Sequence, residues 1–100
     1  MKDQLLAWIE QDKDKLVDFF CSFIRAKSPN PPGDTLEAVA HIRRFLDGEG
    51  LAHRVIAPNA IMPNIVASFD AAKPGRHLVL NGHIDVFPVA DEQRWKHGAW

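Results

Sequence analysis

The sequence has 100 residues, of which 46% are hydrophobic and 25% charged, the composition of one small globular unit or of a piece of a larger one. Its formal net charge is -1, and no run of like charge occurs, which argues against nucleic acid or an anionic membrane surface as partner. The single cysteine, Cys21, rules out a disulfide framework, and no apolar stretch reaches signal-peptide or membrane-span length, so the expected setting is cytoplasmic.

Over residues 3–26, Leu5, Ile9, Leu16, Phe19, Phe20, Phe23 and Ile24 recur at spacings of three, four and seven, the stripe of an amphipathic helix. The charged insert Gln11-Asp12-Lys13-Asp14-Lys15 interrupts that stripe and allows two helices, with Asp12 as a second N-cap. Cys21, inside Phe19-Phe20-Cys21-Ser22-Phe23, reads as a small buried hydrophobe, and the phenylalanines read as core. Ser28-Pro29-Asn30-Pro31-Pro32-Gly33 cannot continue a helix, because each proline removes an N–H donor and restricts the residue before it. Asp34-Thr35-Leu36-Glu37 has capping-box spacing, with Asp in place of Ser or Thr. A further helix follows, carrying Leu36, Val39, Ile42, Phe45 and Leu46 up to Gly48 or Gly50. Asn30 and Asp34 already have local uses, as turn and cap residues.

Past Gly50 the apolar period shortens. Residues 51–57 and 64–69 read as strands, with Pro58 and Pro63 bounding the loop between them. A turn over Asp70-Ala71-Ala72-Lys73-Pro74-Gly75, marked by its Pro-Gly pair, leads to a third strand, residues 76–82, whose unbroken Leu78-Val79-Leu80 suggests burial on both faces. Helices followed by at least three strands make an α/β fold. No Gly-x-Gly-x-x-Gly or P-loop spacing follows any strand, which disfavours a nucleotide-binding protein. The last block, residues 89–100, has no helical or strand period and reads as a surface loop, in which Trp95 and Trp100 either line a pocket or cover the sheet or a further part of the protein.

The chemistry gathers at the polar end of the third strand, in Asn81-Gly82-His83-Ile84-Asp85-Val86-Phe87-Pro88. Side chains two apart on an extended chain point the same way. His83 and Asp85 therefore share a face, where a carboxylate can fix the tautomer and tilt of a metal-binding imidazole. A zinc site needs at least three protein ligands, and no acidic or His cluster follows this pair. Of the other histidines, His41 lies on the helix beside Arg43 and Arg44, His53 and His77 open strands, and His97 sits in the terminal block. All four read as solvated or structural.

This segment resembles the Gly-His-x-Asp-x-x-Pro pattern of the M20 metallopeptidases, the family of acetylornithine deacetylase, succinyl-diaminopimelate desuccinylase, aminoacylase and glutamate carboxypeptidase. The upstream order, helix, Pro-rich loop, helix, then Asn64-Ile65-Val66-Ala67 as a strand, is similar to the family's opening over nearly the whole chain. The resemblance implies that His83 is a metal ligand and Asp85 the carboxylate that orients it within the catalytic site. It implies the N-terminal part of a zinc-dependent exopeptidase-like catalytic domain, with the rest of that domain and any lid or dimerisation domain, through which a homodimer could form, beyond Trp100. The implied cofactor is a pair of Zn2+ ions, with Co2+ as a substitute, which this fragment alone would not bind tightly. The implied reaction is hydrolysis of an amide bond in an N-acyl amino acid or small peptide, for which the fragment alone would be inactive. Ala99 and Trp100 depart from the Pro-Phe usual in the family's corresponding loop. The alternative is a non-catalytic binding or scaffolding module that keeps the family's shell. A Gly-Arg-Gly segment followed by Asp and then Glu-Glu beyond Trp100 would favour the enzyme.

Overall fold

The computed structural model describes residues 1–100. Three α-helices come first, α1 (Lys2–Gln11), α2 (Lys13–Arg25) and α3 (Leu36–Gly48), followed by strands β1 (His53–Ile56) and β2 (Asn64–Ala67) and a short 3-10 helix (Glu92–Arg94). The amphipathic stretch is thus two helices that meet at Asp12. The Asp12 side chain makes no cap hydrogen bond; it lies 3.1 Å from Lys15 Nζ, an exposed pair one turn apart that contributes a few tenths of a kcal/mol. At the start of α3 the cap residue is Thr35. Asp34 accepts a hydrogen bond from the Leu36 N–H at 3.0 Å. Glu37 accepts one from the Lys27 N–H at 3.3 Å, so the reciprocal bond of a capping box is replaced by a tie back to the end of α2.

Helices α2 and α3 pack through rings. Phe19 lies 4.6 Å from Phe45 and 5.2 Å from His41 between centroids, and Phe23 lies 5.8 Å from His41. His41 Nε2 is 3.4 Å from the Ser22 hydroxyl, so this histidine is part of the helix contact. Phe19 and Phe23 are half-buried there, while Phe20 and Cys21 on the neighbouring face are exposed. The expected burial of Cys21 and Phe20 is therefore corrected: only the face of α2 turned to α3 finds a partner.

Strands β1 and β2 pair antiparallel in the register His53↔Ala67 to Ile56↔Asn64 and form a two-stranded sheet. The α/β class holds, but the expected third strand does not form. Residues 76–82 carry no strand pairing, and Leu78, Val79 and Leu80 are 80%, 74% and 86% exposed. The physical reason is a missing ladder: an apolar run becomes a buried strand only when neighbours pair both edges and cover both faces. No other segment of this chain supplies them.

The best-buried positions lie in and around the Pro-rich loop. Ser28, Gly33, Thr35, Ala38, Val39 and Pro63 are the buried residues, all but Pro63 within residues 28–39, at the loop and the entry to α3. Thr35 N–H donates to Ile61 O at 2.9 Å and Gly33 N–H to Pro29 O at 2.9 Å, so the loop is tied both to itself and to the turn before β2. Gly33 has φ +85, a left-handed conformation that glycine adopts without steric cost. A Cβ there would run into the Met62 methyl group.

Candidate functional site

The loop and the His-Asp segment are stapled together. Pro29 and Val86 form a parallel bridge, with Asn30 N–H donating to Val86 O at 2.8 Å and Val86 N–H donating to Ser28 O at 3.0 Å. The Ser28 hydroxyl donates to Ile84 O at 2.7 Å. These bonds reach across more than fifty residues of chain and hold the backbone of residues 84–86 extended beside the loop.

On that extended backbone the two sequence-predicted side chains meet. His83 Nδ1 is 3.0 Å from Asp85 Oδ1 and 2.8 Å from Asp85 O. Both partners are acceptors, so the neutral ring carries its proton on Nδ1 and leaves the Nε2 lone pair free. The imidazole side chain is 84% exposed, so Nε2 is accessible. The Asp85 carboxylate is also held from its far side: Asn30 Nδ2 donates to Asp85 Oδ2 at 2.8 Å. The Asn30 hydrogen bond first, and that of His83 second, hold the Asp85 carboxyl below the ordinary carboxylate range, against a smaller opposing effect of burial. Each bond favours the charged form because a carboxylate oxygen is a stronger acceptor than an oxygen of the neutral acid.

Two grooves meet at this pair. One, of about 840 Å³, runs between α2 and the C-terminal segment and is mostly apolar, with Phe20, Phe23, Trp95 and Trp100 along it. The other, of about 550 Å³, is more polar and is lined by Asn30, Thr35, Met62 and Asn64. His83, Ile84 and Asp85 border both. Of the alternatives for the tryptophans, both rings line the larger groove, with Lys27 Nζ 5.8 Å from the centre of a Trp100 ring.

The remaining histidines stay apart from the pair. His53 Nδ1 is 3.1 Å from Leu51 O, and its Nε2 accepts from Arg43 Nε at 3.4 Å. His77 does not open a strand, since residues 76–82 form none; it and His97 are exposed. No three His, Cys, Asp or Glu side chains gather closely enough to hold a metal ion. The residue that sequence reasoning missed is Asn30. Its position before a proline has a sufficient local explanation, and only the fold brings it to Asp85.

No protein-family model matches the chain, and no solved structure matches it. Two curated proteins do. The N-formyl-4-amino-5-aminomethyl-2-methylpyrimidine deformylase of Halalkalibacterium halodurans is 31% identical over 99 residues, which cover 94% of this chain and 23% of that protein. The protein of the same name from Bacillus subtilis is 26% identical over 92 residues, covering 89% of this chain and 22% of that protein. The chain thus spans less than a quarter of the length of the curated relatives it matches. Their names correct the resemblance to the M20 metallopeptidases: both relatives are named deformylases of a substituted pyrimidine, and neither is named a peptidase.

Proposed function

We propose that the protein to which this chain belongs is a metal-assisted hydrolase of the amide bond of a small molecule, and that His83 and Asp85 form one corner of its site. The observation that carries the reading is the His83–Asp85 contact of 3.0 Å, which fixes the imidazole tautomer and turns a free Nε2 outward beside two grooves. Similarity to the two deformylases over nearly the whole chain supports the reaction class, because removing a formyl group from an amine is hydrolysis of a formamide C–N bond.

His83 suits a zinc ligand: a neutral imidazole whose other nitrogen donates to a carboxylate is a common arrangement of metal-bound histidine. It is one ligand, and the others would come from residues outside this chain. When bound, a zinc ion supplies polarisation of the carbonyl and a water acidic enough to react near neutral pH. Asp85 keeps the Nδ1 proton in place, and with it the ring's orientation. The chain is read as a portion of a catalytic domain, and the extensive apolar surface of residues 76–87 supports that reading. A small molecule is the expected partner.

The test is a hydrolysis assay on the full-length, zinc-loaded protein with a formamide of an aminomethylpyrimidine. An N-acetyl amino acid and a dipeptide serve as parallel substrates. Release of formate, lost on chelation and restored by zinc, is the expected result. No release from any of the three would overturn the reading and leave a non-catalytic module.

A further inference from the structure

Asn30 sits in a stiff loop with three prolines in four positions, and two main-chain hydrogen bonds and the Ser28 hydroxyl lock that loop to residues 84–86. A carboxylate on an extended segment is otherwise free to rotate about its last bond. Here one oxygen accepts from Asn30 Nδ2 at 2.8 Å and the other from the His83 ring at 3.0 Å. The amide must present its NH2 rather than its oxygen, because Asp85 has only lone pairs to offer. The local chain does not explain this contact: 55 residues separate the partners, and the turn itself is closed by the Gly33 N–H to Pro29 O bond.

We propose that Asn30 is a positioning residue for the His83–Asp85 pair. Its side-chain amide holds the Asp85 carboxylate in the plane that keeps the His83 proton on Nδ1 and Nε2 available for work. The proposal rests on the reading of His83 as a working group, and it extends that site to a residue from a different part of the chain. Removing the amide leaves Asp85 charged but free to turn, so the Nδ1–H···Oδ1 bond opens more often. Groups that orient a metal-binding histidine are typically worth about 10- to 100-fold in affinity or activity when removed. Asn30 acts one bond further out, so the low end of that range applies.

The experiment follows the His83 ring proton by NMR in the full-length protein with labelled histidine, the signal being identified by its loss in His83→Ala. Its solvent exchange should be slow in the native protein and about tenfold faster in Asn30→Ala and in the isosteric Asn30→Asp, with kcat reduced about tenfold and KM little changed. Ser28→Ala is the control: it loosens the same loop at Ile84 without touching Asp85, so it should lower the melting temperature and leave the ring proton slow. Unchanged exchange in folded Asn30→Asp would overturn the proposal, as would equal acceleration in Ser28→Ala, which would reduce Asn30 to general loop packing. The ring-proton measurement needs no substrate, so a failed hydrolysis assay and a failed Asn30 test are separate results.

Discussion

His83, Asp85 and Asn30 show which parts of the proposed site a sequence exposes. The first two are neighbours in the chain, and the period of two along an extended segment was enough to place them on one face. Asn30 comes from a loop 55 positions away and has a sufficient local reason to be asparagine, so nothing in the sequence pointed from it to Asp85. The trio makes a pH prediction whose sign is fixed. The folded pKa of Asp85 is lowered by the Asn30 bond and then the His83 bond. Its contribution to stability is therefore fully present above the unfolded value, about 3.9, and is lost as pH falls through the lower folded value. The Asp85 side-chain carbon shift should hold its ionised position where exposed carboxylates already titrate, and Asn30→Ala should move its midpoint upward; equal midpoints in both proteins would contradict the assignment. His83→Ala should leave the fold intact, since the ring is exposed, while cutting hydrolysis by the full-length protein more than about a hundredfold. Removing the residue itself should cost more than removing a group that orients it. Near-normal turnover at full metal content would count against His83 as a ligand.

At the scale of elements, helices were legible because their signal lies within each segment. Apolar residues every three or four positions marked α1 to α3, and the charged insert at Asp12 marked the break between the first two. The short strands 53–56 and 64–67 fell inside the runs expected for them. Residues 76–82 did not become a strand, because a strand needs partners that a local pattern cannot guarantee. The Pro-rich loop gave the opposite surprise: prolines announced an irregular segment, yet Ser28 and Gly33 within it are two of the six buried residues. Gly33 carries the consequence. Substituting alanine imposes a left-handed residue, about 1–2 kcal/mol, and also displaces the Met62 methyl, with the Asn30 Oδ1 only 3.3 Å from the new Cβ. Gly50 has φ +66 with open space around it, so Gly50→Ala should show the backbone cost alone. Urea unfolding of the full-length protein should therefore find Gly33→Ala the more destabilised of the two. Only Gly33→Ala should disturb the Asn30–Asp85 contact, and equal losses would show that Met62 yields without cost.

For the molecule as a whole, surface decides the behaviour. The chain exposes 8852 Å², against about 5,700 Å² for a compact monomer of its 11.2 kDa mass by the usual scaling. Its radius of gyration is 16.4 Å, where about 13 Å is typical of a hundred-residue domain. Large apolar side chains contribute to the excess, with Phe69, Leu78, Val79, Leu80 and Phe87 each at least 74% exposed. An extended apolar segment with free N–H and C=O groups is a template for pairing with another chain. The 100-residue chain expressed alone should therefore bind a hydrophobic dye and associate at micromolar concentration, and Val79→Lys should reduce that association without altering α3. Sedimentation together with hydrogen exchange tests both parts, with slow exchange expected at Ala38 and Val39 and fast exchange across residues 76–82. Zinc titrated into the same isolated chain should find only the affinity of a single accessible histidine, because no three His, Cys, Asp or Glu side chains gather to hold the ion. A stoichiometric submicromolar site would mean that the chain assembles a metal centre from its own residues. A monomer that ignores the dye would mean that the exposed run is folded away by contacts absent from this arrangement.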